Sequence, residues 1–388
     1  MKKLLSLALV VMLLFALAGC STTTNETTTA PETTAAPTDD KAADGLKIAI
    51  VTSPSGVDDG SFNEDNYNGI LDFIAETGKG QVTAINEVTG APAASVDAVA
   101  AIVADYDVIV ACGFQFSGIG AIAMDNPEKK FILVDTFPVD GEGNSVELDN
   151  VYAMLFAEQE SGFFAGMAAA LQSESKKVAV VNGIAFPSNV NYQWGFESGV
   201  NYANKKYDTG VTIVELPSYA GTDVTGADVG GNYVGNFSDE ATGKVVGNAL
   251  IDEGCDMILV AAGGSGNGVF TAIKEAGKGH VIGCDVDQFD DGLNGESNII
   301  LTSVLKNMRI NVNRQLTKIS KGEFVGKNEV LTAATDSTGF VFKEGRHQLT
   351  ADTIEKLNAA YALLKEGKIV PAANFNDIKP EDFPGLND

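Results

Sequence analysis

Asp58, Asp59, Phe62 and Asn63 place two carboxylates, an aromatic ring and an amide within six residues. Groups of this kind can recognise a small molecule: rings bury flat surfaces, while carboxylates and amides accept or donate hydrogen bonds at its edges. They do not make a catalytic set. Asp58 and Asp59 come without a clear calcium-ligand set or an activated nucleophile, so a hydrolase that splits a small molecule has no complete mechanism here. The only histidines are His280 and His347, which leaves little for a histidine metal site or a catalytic triad.

The other unusual polar and aromatic residues follow apolar runs in the same way. Gly113-Phe114-Gln115-Phe116-Ser117 follows Val108–Cys112, Asp135 follows Phe131–Val134, and Asn182-Gly183-Ile184-Ala185-Phe186-Pro187 follows Val178–Val181 with Tyr192 and Trp194 close behind. Gly263-Gly264-Ser265-Gly266 follows Met257–Val260, and Asp285-Val286-Asp287-Gln288 follows Val281–Cys284. The glycine run lacks the lysine of a phosphate loop and does not match G-x-G-x-x-G, and Asn267 stands where a nucleophile elbow needs glycine. It reads as a tight strand-to-helix turn whose amides can contact a neutral ligand. Asp285 and Asp287 alternate, so at most one faces a cleft. Asp239 caps the helix after it. Phe62 taken alone reads equally as core or as a ligand platform, and Lys306 on sequence physics alone reads as solvent-exposed.

The elements that must position these groups are short β-rich runs alternating with helical segments, the pattern of parallel sheets built from βαβ units. Strands are expected at Lys47–Val51, Val82–Ile85, Val108–Cys112, Phe131–Val134, Val178–Val181, Val211–Glu215, Met257–Val260 and Val281–Cys284. Helices are expected at Ala94–Ala104, Glu160–Leu171, Val190–Asn204, Glu240–Glu253, Val269–Gly277 and Ala351–Lys365. A helix also begins near Ser61, where Ser61 and Glu64 fit a capping box. The two series join around Asn150–Ala157, and Ile300–Val304, Arg309–Lys321 and Val330–Thr332 read as further crossings between two lobes. Strand ends of both lobes then converge on one cleft.

Ahead of this body, Lys2-Lys3, the apolar Leu4 to Leu17 and Leu17-Ala18-Gly19-Cys20 read as a signal peptide ending in a lipobox-like cysteine. Cleavage before Cys20 and lipid on its sulfur would anchor the chain outside the cytoplasm. Ser21 to Asp44, rich in Thr, Ala, Pro and Asp, reads as a disordered tether. With 26 basic against 52 acidic residues, the net charge of −26 argues against nucleic acid and anionic lipid as partners. Cys112, Cys255 and Cys284 sit in or beside apolar runs without a Cys-x-x-Cys and read as buried thiols.

Several segments in this order carry a family resemblance: Asp58-Asp59-Gly60-Ser61-Phe62-Asn63, Asn126-Pro127-Glu128-Lys129-Lys130-Phe131, Gly162-Phe163-Phe164-Ala165-Gly166, Ala262-Gly263-Gly264-Ser265-Gly266-Asn267-Gly268-Val269-Phe270, Gly283-Cys284-Asp285-Val286-Asp287-Gln288 and Thr302-Ser303-Val304-Leu305-Lys306. From Lys47 to about Gly326 the chain resembles the basic membrane protein family of extracytoplasmic lipoproteins, purine-nucleoside-binding components of ABC importers. The resemblance implies an α/β, type I periplasmic-binding-protein fold: two Rossmann-like lobes with parallel sheets joined by a three-strand hinge. Lobe 1 would comprise 46–155 plus about 305–325, and lobe 2 156–303 plus about 326–380, after a signal peptide at 1–19 and the lipidated Cys20 and tether at 20–45.

The resemblance also implies roles. Phe62 would stack on a purine, and Asp59 and Asn63 would hydrogen-bond its base or ribose. Gly264 and Gly266 would line the pocket, and Asp285 with Lys306 would hold the ribose hydroxyls. Tyr192 would be the second stacking aromatic, with Phe186 and Trp194 as competitors. Asn182-Gly183 replaces the family's paired glycines, and Ser218 to Tyr233 reads as an insertion near the cleft. The implied protein is a monomeric, nonenzymatic receptor without cofactor or metal that hands a purine nucleoside to an ABC permease, or a sensory receptor of the same fold. The Thr-rich tether and only three arginines suggest a Gram-positive-like cell surface.

Overall fold

The computed structural model describes residues 45–388 apart from Phe375 and Asp388. The signal peptide, the expected lipidation at Cys20 and nearly all of the tether lie outside the described residues.

The chain first builds a parallel sheet from β1 (Lys47–Thr52), β2 (Gln81–Asn86), β3 (Val108–Cys112), β4 (Lys130–Val134) and β5 (Val151–Phe156). Ile48 to Val51 have no solvent exposure on either face, which is why the run is apolar without alternation. Ile48 and Ile50 pack with Phe73 of α1 (Phe62–Thr77) and Val312 of α8 (Met308–Lys321), while Ala49 and Val51 pack with Val99 of α2 (Pro92–Ile102), with Phe116 and with Ile119 of α3 (Ile119–Asp125). Helices on both faces exclude water from the sheet.

The second sheet takes β6 (Lys177–Asn182), β7 (Thr212–Ile213), β8 (Met257–Ala261), β9 (His280–Gly283) and β10 (Ile300–Lys306). Then β11 (Lys327–Leu331) returns to the first sheet as a parallel neighbour of β5, and β12 (Thr338–Phe340) closes the second against β10 as an antiparallel edge. The strand orders are β11-β5-β4-β3-β1-β2 and β12-β10-β9-β8-β6-β7. The second sheet is covered by α4 (Glu158–Gln172), α5 (Pro187–Tyr207), α6 (Glu240–Asp252), α7 (Gly266–Ala276) and α9 (Ala351–Lys365).

Two expectations are corrected. Lys327–Leu331 belongs to the first lobe, because its backbone pairs with β5, whereas the resemblance puts residues from about 326 onward in the second. The strand expected at Val211–Glu215 shortens to Thr212–Ile213: the Val214 amide still donates to Val178 at 2.8 Å, but beyond it the Asn232 side chain stands in for the neighbouring strand, its amide nitrogen donating to the Val180 and Val214 carbonyls at 2.9 and 3.1 Å and its oxygen accepting the Leu216 amide at 2.7 Å.

The chain passes between the sheets at Ala157, at Asn307 and along 332–337. The first and third passages are joined by the Ala157 amide donating to the Leu331 carbonyl at 2.8 Å, the second and third by the Asn307 amide donating to Ser337 at 2.9 Å. The Glu160 carboxylate accepts from the Ala333 amide and the Thr338 hydroxyl at 2.7 and 2.6 Å, fastening α4 to the third passage.

Helices α4 and α5 start beside these passages and meet backbone to backbone. A Cβ on Gly166 would lie 2.0 Å from the Phe196 carbonyl oxygen, and one on Gly199 would lie 2.1 Å from that of Phe163. No rotamer relieves a clash with backbone. Gly166→Ala is therefore expected to cost about 1–3 kcal/mol by overpacking, read as a lowered urea midpoint at unchanged m-value. An unchanged midpoint would show that the two helices have room to separate.

Candidate ligand-binding site

Between the carboxyl ends of the two sheets lies a cavity, at the place where open α/β folds hold their ligands. On the first-lobe side it is walled by the loop from Ser53 to Ser61, by Phe62 and Asn63, by Cys112 to Gln115 and by Asp135. On the second-lobe side stand Phe186, Asn189, Tyr192, Phe237, Gly263, Cys284 and Asp285, with Lys306 at the second passage.

The α1 start is organised by Asp59 rather than by Ser61. Asp59 Oδ1 accepts from the amides of Ser61 and Glu64 at 3.0 and 3.1 Å, and its Oδ2 from the Asn63 amide at 3.0 Å. A carboxylate beats a hydroxyl here because it serves three free amides at the positive end of the helix. The expected capping box is thus replaced, although Glu64 Oε2 still accepts from the Gly60 amide at 2.9 Å. Freed from capping, the Ser61 hydroxyl turns across the cleft toward the Cys284 carbonyl and Asp285 Oδ2, 3.4 Å from each. Burial pushes the Asp59 carboxyl up to about 6 against those three amides. Asp58 is exposed and does not line the cavity.

Asn63 is fully buried. Its amide nitrogen donates to the Ser53 and Ser55 hydroxyls at 3.0 and 3.2 Å, and its Oδ1 has no partner among the described residues. Asp135 presents a second buried acceptor, Oδ1, likewise without a partner among them. Unmet acceptors in a closed apolar setting are costly, so both oxygens call for donors.

Lys306 corrects the exposed reading. It is 2% exposed, with its Nζ 2.5 Å from Asp135 Oδ2 and 3.0 Å from Glu158 Oε1. Burial works against its charge, but the facing Asp135, Glu158 and Asp285 carboxylates hold the ammonium above the usual lysine range. The rings of Phe62 and Phe156 lie 4.9 and 5.4 Å from the same nitrogen. Asp135 and Asp285, one after β4 and one after β9, both take left-handed backbone at φ 66° and 69°.

Asp285 pairs with Tyr192 rather than directly with Lys306: the Tyr192 hydroxyl donates to Asp285 Oδ1 at 2.7 Å. Tyr192, 3% exposed, thereby serves as a polar support. The aromatic surface is instead a row of half-buried rings, Phe114 to Phe186 at 5.4 Å and Phe186 to Phe237 at 6.1 Å, with Phe62 also on the wall. Trp194 packs with Val190 and Tyr233 away from the cavity. Of the expected glycines neither Gly264 nor Gly266 is on the wall and Gly263 is. Asp287 is turned outward to Arg346, so one of the two faces the cavity as expected, although both lie past the strand end and the left-handed Asp285 breaks the alternation. Cys112, Cys255 and Cys284 are buried free thiols.

The structure brings Asp59, Phe62, Asn63, Phe186, Tyr192, Asp285 and Lys306 to one cavity, and adds Phe114, Asp135, Phe237, Ser53 and Ser55 to its lining. Phe114 and Asp135 already stand in the strand-end set. Phe237 is hidden in the sequence because Asn236-Phe237-Ser238-Asp239 reads as a cap, and Asp239 does accept the Thr242 amide at 2.9 Å. What places Phe237 is a stretch laid beside the end of β6: the Asn182 amide donates to the Asn232 carbonyl at 2.8 Å and the Val234 amide to Asn182 at 2.9 Å.

The sequence model of the Bmp family, described as "ABC transporter substrate-binding protein PnrA-like", matches residues 46–218 and 225–371. The chain belongs to this family. The gap between the two matched stretches, residues 219–224, falls inside the expected insertion. A "CD4+ T-cell-stimulating antigen" of Listeria innocua is 26% identical over 346 residues, 85% of this chain and 89% of that one. The "ABC transporter nucleoside-binding protein BmpA" of Lactococcus lactis is 29% identical over 304 residues, 74% and 79% of the two chains. The crystal structure of an ABC transporter solute-binding protein from Aeropyrum pernix superposes with a TM-score of 0.71 at 21% identity, covering 86% of this chain and 94% of that one, and shows the shared fold. This Bmp-family chain is thus an ABC transporter substrate-binding protein with the expected two-lobed fold, and such proteins work outside the cytoplasm.

The buried charges give two expected outcomes. Lys306→Met leaves Asp135 and Glu158 without their cation and is expected to cost about 3–5 kcal/mol in urea unfolding; a loss under 1 kcal/mol would mean that water already serves these carboxylates. Asp65, on α1 and accepting the Arg309 amide at 2.9 Å, is pushed by burial up to about 7. Because that lies above the unfolded value of about 3.9, the folded chain holds a proton that the unfolded chain has lost between roughly pH 4 and 7, and stability from this group falls as pH rises through that window. Asp65→Asn should therefore gain about 1–2 kcal/mol over the parent at pH 8 and nothing at pH 4. A difference independent of pH would overturn the assignment.

Proposed function

We propose that the protein captures a purine nucleoside in the interlobe cavity and delivers it to an ABC importer, tethered outside the cell membrane by lipid on Cys20. The observation that carries the reading is the pairing of an aromatic-walled cavity with two buried acceptors that lack partners among the described residues, Asn63 Oδ1 and Asp135 Oδ1. Phe62, Phe114, Phe186 and Phe237 would offer a flat heterocycle an aromatic surface, where stacking contributes beyond simple burial. Ribose hydroxyls suit the Asp135–Lys306–Asp285 end, donating to carboxylates and accepting from the ammonium. With Asp59, Asp135 and Asp285 against Lys306, the wall disfavours phosphates and carboxylates, so a neutral, donor-rich ligand matches it. The printed name of the Lactococcus relative supports the nucleoside class.

Ligand bridging the lobes would draw an open–closed equilibrium toward the closed form by contacts available only there, and the permease would recognise that form. The chain acts as a receptor and not as an enzyme, so incubation with nucleoside should release no free base. Titration calorimetry against adenosine, guanosine, inosine, free bases, sugars and amino acids tests the class. Nucleosides are expected to bind, and Phe237→Ala or Asp285→Ala to weaken them about ten- to hundredfold, the range of losing a stacking partner or a charge-assisted hydrogen bond. Binding of a sugar or amino acid with none of any nucleoside would remove the assignment. For the anchor, Cys20→Ser should release the protein from the membrane fraction.

A further inference from the structure

Of the three carboxylates that face Lys306, Asp135 and Asp285 line the cavity and Glu158 does not. Glu158 is the first residue of α4 and is 2% exposed, with Oε1 3.0 Å from Lys306 Nζ. That contact is an ion pair out of hydrogen-bond alignment, since Oε1 has no hydrogen-bond donor among the described residues. The other oxygen is firmly held. Glu158 Oε2 accepts from Asn191 Nδ2 at 3.0 Å, and Asn191 Oδ1 accepts from the Asn374 backbone amide at 2.7 Å, in the segment after α9. Neither asparagine lines the cavity. The chain of bonds has one sense only: the Asn374 N–H fixes the acceptor end of the Asn191 side chain, which leaves its donor end for Glu158. Charge balance does not ask for this arrangement, because Asp135 and Asp285 already set two negative charges against the cation. A third buried carboxylate adds a desolvation cost that neutrality does not require, so its use is placement.

We propose that Glu158 is a positioning residue for ligand binding: held by Asn191 behind the wall, it stations the Lys306 ammonium so that N–H groups remain for the hydroxyls of the ligand. The inference rests on the nucleoside reading, in which ribose meets the Asp135–Lys306–Asp285 end, and adds to it a residue that touches no ligand. An ammonium has three N–H groups, and Asp135 Oδ2 takes one of them. Without Glu158 the nitrogen is free to settle on the cavity carboxylates alone, and the N–H groups meant for the ligand are spent there. Asn191 and Tyr192 are neighbours on α5, so one turn of that helix supports both Glu158 and Asp285.

Burial pushes the Asp135 carboxyl up to about 7, with Lys306 opposing the rise and Glu158 and Asp285 adding to it; the Cys112 thiol faces the same group. Because an ionised Asp135 accepts from the ligand, affinity should fall as pH drops through that value, and loss of the Glu158 charge should move the fall to lower pH. The test is calorimetric titration with adenosine, guanosine and inosine from about pH 5 to about pH 9. Glu158→Gln, similar in shape but uncharged, is expected to weaken the nucleoside about ten- to hundredfold at about pH 8 and to move the fall about one pH unit lower. Asn191→Ala, which removes only the holding bond, should weaken it about three- to tenfold and leave the fall where the parent has it. Parental affinity in folded Glu158→Gln, a loss there without movement of the pH profile, or parental affinity in Asn191→Ala would each overturn the role. If Glu158→Gln does not fold, Asn191→Ala decides. A parent that binds none of the three nucleosides would remove the nucleoside reading and this role with it, an outcome distinct from a parent that binds and variants that match it.

Discussion

A buried ammonium organises this molecule. Lys306 ends β10 at the second passage between the lobes, and its charge is balanced by Asp135 from the first lobe and Glu158 from the start of α4 in the second. Desolvating three charged groups is expensive, and such clusters are weak evidence for net stability. Their value here is geometric. A cation that must keep two partners on different bodies fixes where the strand end of one lobe, the helix start of the other and the hinge between them can sit. The Asn191 amide, donating to Glu158 Oε2 at 3.0 Å, extends that restraint to α5, which also carries Tyr192.

Around this fixed centre the two lobes touch lightly. Across the cleft Ser61 reaches Asp285 at 3.4 Å and Gln288 Nε2 reaches the Gly60 carbonyl at 3.3 Å, both at the long end for hydrogen bonds. The aromatic contact between Phe114 and Phe186 adds a modest term. Contacts this sparse allow opening at low cost, so a ligand that satisfies Asn63 and Asp135 can set the balance between open and closed forms. Rigidity lies elsewhere, in the glycine-mediated α4–α5 contact and in the fully buried strands.

Much of the architecture is legible in the sequence. Apolar runs such as Val108–Cys112, without alternation and bounded by turn residues, can only be strands covered on both sides, and the helical stretches between them force parallel pairing through crossovers. The C-terminal helix Ala351–Lys365 has the bounds that its pattern predicts. Assignment of Lys327–Leu331 to a lobe is beyond sequence, because a short edge strand carries no mark of which sheet will take it. The start of α1 departs from expectation for a related reason: Ser61 and Glu64 have the capping spacing, but Asp59 competes for the same amides, and only the folded loop brings its carboxylate to them.

What the sequence by itself determined is the class of the object: a two-lobed α/β receptor body whose polar and aromatic residues gather at strand ends. The two-lobed α/β plan follows from periodicity and turn chemistry, which are local, and the receptor class from the ordered family motifs. Which of those residues touch one another was decided by tertiary structure. The burial of Lys306, the turn of Tyr192 from platform to support, and the arrival of Phe237 beside Phe186 each depend on partners far away in the chain, with Asp135 and Lys306 separated by 171 positions. Burial and charge pairing are properties of neighbourhoods, and a neighbourhood exists only once the chain has closed on itself.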